Sequence, residues 1–246
     1  MAEEKVAVVI PAAGVGQRMG GERKQFRTLG GAPVLVRTLE VFERHPEIDA
    51  LVVAGPTGAA DALRDELESA GLTKLHAVVE GGATRQASVG QGLAALPTDT
   101  DLVLVHDAVR PFLPADRLTA VIDAARTHGA AALAIPMADT VRCAERDDPS
   151  TGSGQVFGAT VPREALWRMQ TPQAFRTELL LAAHTRFADV AGTDEVELVQ
   201  RTGYAVHIVE GSALTFKITT PDDWTLAEAL WPRWERGRGE KEEGRA

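Results

Sequence analysis

Short apolar segments alternate with longer segments of helical pattern over roughly the first 135 residues, and this alternation constrains the fold more than any other feature. The apolar segments are 6–11, 50–54, 76–80, 102–106 and 131–136, and the helical patterns are 33–45, 58–70, 84–95 and 115–128. Strands that are apolar throughout must be covered on both faces, so the sequence predicts an α/β protein with a mostly parallel sheet and helices on both faces. In such a sheet, ligands bind beyond the carboxyl ends of the strands.

The alternation stops between residues 137 and 162, where turn-forming residues cluster. The turn formers are Asp147-Asp148-Pro149-Ser150 and Gly152-Ser153-Gly154. Short strands near 140–144 and 155–161 would flank this turn. We therefore predict a projecting β-hairpin arm over 137–162, with an irregular surface loop as the alternative.

The remaining elements are predicted from shorter patterns. They are helices at 176–188 and 194–202, strands at 204–210 and 214–219, and a last helix that begins near Pro221, where a proline and two acids suit a helix start. We treat 1–236 as one domain and expect the charged residues 237–246 to form a disordered tail.

Composition and charge narrow the possible functions. The net charge of the 246-residue chain is −9, so nothing in it favours binding to nucleic acid or to an anionic membrane. An anionic ligand would need a local basic cluster. Cys143 is the single cysteine, which excludes an intramolecular disulfide. The first residues lack the basic start and long apolar stretch of a signal peptide, and no apolar run reaches about 18 residues, so we expect a cytoplasmic protein.

A basic cluster does occur, in the glycine-rich segment that follows the first strand. Residues 11–26 read PAAGVGQRMGGERKQF. Gly14 and Gly16 allow close approach of backbone N–H groups to a ligand, while Arg18 and Lys24 bring fixed positive charge. Residues 11–27 contain four basic residues against one acid. In a chain of negative net charge, this excess indicates a triphosphate site.

Two commoner phosphate-binding loops do not fit this segment. The P-loop requires Gly-Lys followed by Ser or Thr, and that sequence is absent from the chain. The dinucleotide fingerprint requires glycine three residues after Gly16, where Met19 stands. A dehydrogenase is therefore disfavoured.

The segment resembles the P-A-A-G-x-G-x-R-M…K-Q-[FY] signature of the 2-C-methyl-D-erythritol 4-phosphate cytidylyltransferase family, and further motifs follow in order. Residues 81–89 (GGATRQASV) are similar to the family's G-G-x-x-R-x-x-S-V, and residues 105–111 (VHDAVRP) to V-H-D-A-x-R-P. Asp139-Thr140, Thr171-Pro172-Gln173, Thr193-Asp194-Glu195 and Phe216-Lys217-Ile218-Thr219 match further positions. The resemblance extends from about residue 6 to 230.

The resemblance implies a Rossmann-like nucleotidyltransferase domain that transfers CMP from CTP to 2-C-methyl-D-erythritol 4-phosphate, with release of pyrophosphate, in the non-mevalonate isoprenoid pathway. It assigns Arg18 and Lys24 as the catalytic pair. The implied nucleotide-binding residues are Pro11, Ala12, Ala13, Gly14, Gly16, Gly81, Gly82, Ser88, Asp107 and Ala108. Position 83 is Asp in some relatives and Ala83 here, which leaves base recognition unaffected only if that contact is made by the backbone.

For the second substrate, the resemblance implies Asp107, Thr140, Arg163, Thr171 and Lys217. In the family the arm reaches across a homodimer, so Thr140 and Arg163 would serve the partner subunit's site. The implied cofactor is Mg²⁺ or another hard divalent cation, held mainly by the triphosphate, with Asp107 as a possible ligand.

The sequence alone leaves several alternative functions open. A cytidylyltransferase for another polyol phosphate, such as ribitol 5-phosphate, would share the triphosphate loop. A non-catalytic nucleotide-binding module would be expected to lack the Arg18–Lys24 pair, which is present. We interpret residues 193–195 as a helix start, His106 as a packed side chain, and Arg85 as a residue that braces its loop.

Overall fold

The structure, a computed structural model, describes residues 4–14, 23–146 and 155–243. Eleven strands lie in the described residues: β1 Val6–Pro11, β2 Thr28–Leu29, β3 Ala32–Pro33, β4 Ala50–Gly55, β5 Leu75–Glu80, β6 Leu102–Val105, β7 Ala130–Pro136, β8 Val141–Arg146, β9 Gln155–Val161, β10 Trp167–Arg176 and β11 His207–Glu210. The helices there are α1 Val34–Glu43, α2 Ala60–Ser69, α3 Arg85–Ala94, α4 Ala115–His128, α5 Thr177–Arg186, α6 Glu195–Arg201 and α7 Pro221–Glu243.

Seven strands form one sheet in the order β11-β7-β10-β6-β1-β4-β5. The β1–β4, β1–β6, β4–β5 and β7–β11 pairs are parallel, and β10 is antiparallel to both of its neighbours. The predicted α/β class with a mostly parallel sheet is therefore confirmed. The five predicted apolar strands correspond to β1, β4, β5, β6 and β7, each within one residue at either end.

Two apolar layers cover the sheet because successive side chains of a strand point to opposite faces. In β1, Val8 and Ile10 pack with side chains of α1, α2 and α4, while Val9 packs with α3, α5 and α6 on the other face. The sandwich holds the carboxyl ends of the strands in fixed register, so the loops that leave these ends start from rigid positions. None of the described helices is both long and apolar enough to span a membrane.

The hairpin arm is confirmed. Strands β8 and β9 pair antiparallel as a separate two-stranded sheet, and their bounds match the predicted 140–144 and 155–161 closely. The turn formers between them lie outside the described residues. Phe157 on the arm is 85% exposed, so this surface does not pack on the chain's own core.

The second half of the chain differs from the prediction at two places. No strand is predicted over β10, because its first three residues are exposed and mix polar and apolar side chains, and because Pro172 lies at a register shift between Met169 and Gln173. The strand predicted at 214–219 does not form. Those residues instead run beside Val109, where one backbone bond, Ile218 N–H to Val109 O at 3.0 Å, fixes them. Helix α7 begins at Pro221 as predicted and continues to Glu243, past the start of the expected tail at 237.

Candidate active site

A cleft of about 600 Å³ opens beyond the carboxyl ends of β1, β4, β5 and β6, as the sheet topology predicts. Its lining residues in the described part of the chain are 11–14, 23–25, 57, 82–85, 88, 107–109, 217 and 219. Most of them lie in loops that directly follow a strand. The predicted nucleotide-binding residues Pro11, Ala12, Ala13, Gly14, Gly82, Ser88, Asp107 and Ala108 are all in this set.

The glycine-rich segment forms the first wall of the cleft. Hydrogen bonds from Gln25 fix the backbone of residues 11–14. The Gln25 side-chain amide is buried and donates to the carbonyl oxygens of Ala12 at 2.7 Å and Gly14 at 2.9 Å. The Ala12 N–H donates to Ala54 O at 2.7 Å, which ties the segment to the end of β4. Lys24 lines the cleft beside Gln25. Gly16 and Arg18 lie outside the described residues.

The turn after β5 forms the opposite wall, and both of its glycines are sterically required. A Cβ atom on Gly81 would lie 2.5 Å from Ala13 Cβ, and one on Gly82 would lie 2.4 Å from Ala87 Cβ. Ser88 closes the turn, because its Oγ accepts from the Gly82 N–H at 3.1 Å and donates to Thr84 O at 2.9 Å. At these two positions the backbone of the turn therefore packs directly against Ala13 and Ala87.

Asp107 lies on the floor of the cleft and is surrounded by three cations. Lys217 Nζ is 3.1 Å and Arg110 Nε 3.0 Å from Oδ2, and Arg85 Nε is 3.4 Å from Oδ1. Burial raises the pKa of this carboxyl, but the cations outweigh burial and hold the pKa well below its usual range. Asp107 is therefore ionised at neutral pH.

A chain of hydrogen bonds beneath the cleft fixes the backbone of Asp107. The Thr171 Oγ1 accepts from the Asp107 N–H at 3.0 Å and donates to His106 Nδ1 at 3.1 Å, so that His106 Nε2–H donates to Arg110 O at 3.1 Å. Burial lowers the pKa of His106 to about 4, and the imidazole is neutral at pH 7. His106 is thus a packed support, as expected from the sequence, and the Thr171 side chain is buried beneath the lining.

Arg85 joins the cleft to α6 through a buried ion pair. Its Nη1 donates to both carboxylate oxygens of Glu195, at 2.9 and 2.8 Å, while its Nε faces Asp107. Glu195 is 1% exposed, and burial raises the pKa of its carboxyl although the Arg85 guanidinium opposes this. The Asp194 side chain caps α6 by accepting from the Glu197 N–H at 2.9 Å.

Lys217 reaches the cleft from the segment before α7. The start of that helix is fixed by Asp223, whose Oδ2 accepts from the N–H groups of Thr219 and Thr220 at 2.8 Å each. The Arg110 Nη1 donates to Thr215 O at 2.7 Å. These bonds connect the Lys217 segment to the loop that carries Asp107.

Thr140 and Arg163 lie at the base of the arm and are exposed. The Arg163 guanidinium donates to the Ala138 carbonyl oxygen. Neither residue lines the cleft of its own chain within the described residues. The structure thus brings Asp107 and Lys217 together and leaves Thr140 and Arg163 on the arm.

The charge of the cleft is opposite to that of the whole chain. Among the described lining residues, Arg23, Lys24, Arg85 and Lys217 are cationic and Asp107 is the single carboxylate. Cations and backbone N–H groups on several walls can neutralise a polyphosphate and hold it in one orientation. Such a cleft suits phosphoryl or nucleotidyl transfer.

The contributors to the site that were not assigned a role in it from sequence include Gln25, Thr57 and Glu195. Gln25 belongs to the quoted K-Q-F motif, which was a usable signal. Glu195 also lies in a quoted motif, but its partner Arg85 is 110 positions away in the chain. No local pattern connects two residues at that separation.

The chain is similar to proteins of known sequence. The family model described as 2-C-methyl-D-erythritol 4-phosphate cytidylyltransferase matches residues 6–233. The 2-C-methyl-D-erythritol 4-phosphate cytidylyltransferase of Salinibacter ruber is 52% identical over 231 residues, which cover 93% of this chain and 94% of that relative.

Solved structures agree with this similarity. The 2-C-methyl-D-erythritol 4-phosphate cytidylyltransferase of Thermus thermophilus is 40% identical with a TM-score of 0.74, covering 92% of this chain and 98% of its own. The 4-diphosphocytidyl-2C-methyl-D-erythritol synthase of Anaerococcus prevotii is 31% identical with a TM-score of 0.78, covering 93% and 96%.

Proposed function

The chain belongs to the 2-C-methyl-D-erythritol 4-phosphate cytidylyltransferase family, and we propose that the cleft at the carboxyl ends of its strands is where it carries out that family's reaction. It transfers CMP from CTP to 2-C-methyl-D-erythritol 4-phosphate in isoprenoid biosynthesis. The observation that carries the placement is a cleft lining with four cationic side chains and one carboxylate. Ribitol 5-phosphate is not favoured as the acceptor, because the similar proteins carry the methylerythritol name over nearly the whole chain.

In the reaction, a phosphate oxygen of the acceptor attacks the α-phosphorus of CTP, and the bond from that phosphorus to the pyrophosphate oxygen breaks. Negative charge accumulates around the phosphorus, so catalysis consists mainly of positioning and charge neutralisation. Lys24 and Arg18 supply the positive charge. The position of Lys24 in the lining, held next to Gln25, supports this role.

The nucleotide is held mainly by backbone groups. Residues 11–14 and Gly16 face the triphosphate, and Gly81, Gly82 and Ser88 face the cytidine. Support comes from the absence of room for a Cβ at either position of the Gly81–Gly82 turn. Ala83 lines the cleft, and with its contact to the base made by the backbone, Ala83 in place of Asp would leave recognition of the base intact.

The acceptor binds against the Asp107–Lys217 ion pair. The ammonium of Lys217 receives the acceptor's phosphate, and Asp107 accepts hydrogen bonds from its hydroxyl groups. The low pKa of Asp107 supports this role, because a permanently ionised carboxylate is a strong acceptor. Thr171, whose hydroxyl supports the Asp107 backbone, holds that carboxylate in position from below.

Thr140 and Arg163 complete the acceptor site of a partner subunit in a homodimer formed through the arm. Their exposure on the base of the arm supports this assignment. So do exposed apolar side chains on the same part of the chain: Phe157 and Val156 on the arm, and Trp167 and Met169 at the start of β10. Large exposed apolar side chains favour burial against a second chain.

A hard divalent cation such as Mg²⁺ assists the reaction. Within the described residues no group of three or more His, Cys, Asp or Glu side chains could hold a metal, and the described lining contains one carboxylate. This donor set fits Mg²⁺, which keeps most of its water and phosphate ligands, with Asp107 as the protein oxygen. Bound Mg²⁺ would neutralise charge on the triphosphate.

We also place the protein in the cytoplasm. The exposed thiol of Cys143 supports this, since a reducing compartment preserves free thiols.

The test is pyrophosphate release by the purified chain with CTP and Mg²⁺, using 2-C-methyl-D-erythritol 4-phosphate or ribitol 5-phosphate as the acceptor. We expect release with the methylerythritol acceptor and none above background with ribitol 5-phosphate. Chelation of Mg²⁺ should abolish release and added Mg²⁺ should restore it. Release with ribitol 5-phosphate alone would contradict the proposed acceptor.

A further inference from the structure

Glu195 is the most deeply buried acid near the cleft, and helix capping does not use its side chain. Asp194 supplies the cap of α6. The Glu195 carboxylate takes no part in the cap, and Arg85 Nη1 donates to both of its oxygens. Its backbone N–H is satisfied separately by Gln173 Oε1 at 3.2 Å. Among the described residues, the side chain that bonds this carboxylate is Arg85, which lines the cleft.

Stability alone is a weak reason to retain such a pair. Desolvation of two charges costs about as much as their attraction returns, so a buried ion pair is often no more stabilising than apolar side chains of the same volume. Here the attraction to Arg85 does not fully offset the cost of desolvation, because burial still raises the pKa of Glu195. A functional role for the pair is therefore worth testing.

The geometry around Asp107 indicates what that role is. The two cations at Oδ2, on Arg110 and Lys217, are at 3.0 and 3.1 Å, whereas Arg85 Nε is 3.4 Å from Oδ1. Arg85 does not approach Asp107 more closely while its Nη1 is bonded to both oxygens of Glu195. Oδ1 is consequently the Asp107 oxygen with the weakest bond from the protein, and it can accept a hydrogen bond from a ligand.

We propose that Glu195 is a positioning residue for the acceptor site: by keeping Arg85 Nε at 3.4 Å from Asp107 Oδ1 rather than closer, it leaves Oδ1 available to the hydroxyl groups of the acceptor. This inference rests on the proposed function, because it assumes that the acceptor binds at Asp107. Without the Glu195 charge, the Arg85 guanidinium would turn towards Asp107 and donate a shorter, charge-assisted hydrogen bond to Oδ1.

The experiment compares steady-state kinetics of the wild-type protein, Glu195→Gln and Glu197→Gln. We expect Glu195→Gln to raise KM for 2-C-methyl-D-erythritol 4-phosphate about tenfold, which is the effect of one lost hydrogen bond to a charged group, and to change KM for CTP much less. Glu197→Gln is the matched control. It makes the same chemical change two residues along α6, where Glu197 bonds Thr193 and Arg201 on the surface, and it should stay within about twofold of wild type.

A second comparison separates positioning from a structural role. If Glu195 acts through Arg85, its replacement should matter little once Arg85 is changed, so the double variant R85Q/E195Q should be at least as active as R85Q. An additive loss in the double variant would overturn the inference. So would an E195Q variant whose kinetics match E197Q.

An unstable E195Q variant and an inactive wild-type protein are two further outcomes that bear on the inference. If E195Q melts too low to assay, Glu195→Met provides the same test, because it removes the charge and buries a side chain of similar length without an unsatisfied polar group; an E195M protein with wild-type KM for the acceptor would overturn the inference. A wild-type protein that releases no pyrophosphate would contradict the proposed function itself, and with it this inference. Active wild type with unaffected E195Q would contradict the inference alone.

Discussion

Gly81 is a single residue whose lack of a side chain shapes the nucleotide site. Its missing Cβ leaves room for Ala13 Cβ, which would otherwise be 2.5 Å away, and for Ser88 Oγ at 2.9 Å. The two walls of the cleft therefore approach each other through this residue. We expect Gly81→Ala to push them apart and to raise KM for CTP about tenfold, the result of an overpacking strain of ~1–3 kcal/mol.

Gly90→Ala is the control for this change. A Cβ at Gly90 meets nothing closer than His184 Nδ1 at 3.8 Å, and alanine favours the interior of α3. The control protein should keep wild-type KM for CTP. Equal KM values in the two variants, measured by pyrophosphate release, would show that close packing at Gly81 is unimportant for nucleotide binding.

His106 makes the stability of the protein depend on pH. In the unfolded chain the pKa of histidine is near its ordinary value, whereas burial lowers the pKa of His106 to about 4. Between these values the unfolded state binds more protons than the folded state, so stability is present above the unfolded pKa and is lost as pH falls. The expected loss of unfolding free energy between about pH 7 and about pH 5 is ~2 kcal/mol.

Urea unfolding of the wild-type protein and of His106→Gln at both pH values measures this term. The pKa of His184 is also lowered to about 4 by burial, but its contribution is common to both proteins and cancels in the comparison. The pH-dependent loss should be smaller in His106→Gln by about 2 kcal/mol. An identical loss in both proteins would contradict the assignment of a neutral, buried His106.

At the scale of elements, the arm is the part that most needs a partner. Phe157 is 85% exposed and lies on a two-stranded sheet that forms no pairs with the main sheet. We expect Phe157→Asp to weaken the homodimer proposed above at least about tenfold, because burial of a phenylalanine contributes ~1.5–3 kcal/mol. Activity should fall with it, since Thr140 and Arg163 would no longer reach the partner's cleft.

Sedimentation velocity over a dilution series, together with the pyrophosphate assay, measures both effects. Leu226→Asp is the matched control, because Leu226 is also an exposed apolar residue, on α7 and 59% exposed. It should leave the dimer intact. A wild-type protein that is monomeric and fully active would contradict the role proposed for the arm.

Helix α7 supports the site from behind. Trp224 and Trp231 pack with Leu29, Phe112 and Ile218 in one apolar cluster, and the Arg27 guanidinium lies 3.9 Å from the centre of the Trp224 ring. Leu29 lies shortly after Lys24 in the chain, and Phe112 lies shortly after Asp107. Ile218 directly follows Lys217. The last helix thus holds three walls of the cleft in a common position.

A strand that is buried along its whole length is easier to predict from sequence than a strand that is partly exposed. Strands β1, β4 and β6 are buried in the middle of the sheet, so their apolar residues form continuous runs that are easy to recognise. Strand β10 has three exposed residues at its start and a proline in its middle, which hides the pattern. The segment 214–219 has apolar residues that fill the aromatic cluster rather than a sheet, so its pattern was misleading.

At the scale of the whole molecule, a chain of net charge −9 concentrates positive charge in one cleft. The sequence predicted the cations of the glycine-rich segment, because they are close together in the chain. It also supplied Lys217 and Asp107 through motif similarity. It could not predict that Asp107 bonds Lys217, Arg110 and Arg85 together, because this network depends on segments that only the folded sheet brings together.

The transfer of CMP in this cleft is tested most directly by substitution of Lys24. The measurement is the rate of pyrophosphate release from CTP and 2-C-methyl-D-erythritol 4-phosphate by the wild-type protein, Lys24→Ala, Arg18→Ala and Lys5→Ala. Lys5 precedes β1 at the end opposite the cleft and forms a surface ion pair with Asp49 at 2.8 Å, which contributes about 0–1 kcal/mol to stability.

We expect Lys24→Ala and Arg18→Ala to lose activity by about a thousandfold or more, as for other groups that stabilise transition-state charge, while the folded structure persists. Lys5→Ala should match the wild type. Near-normal pyrophosphate release by both Lys24→Ala and Arg18→Ala would contradict the account.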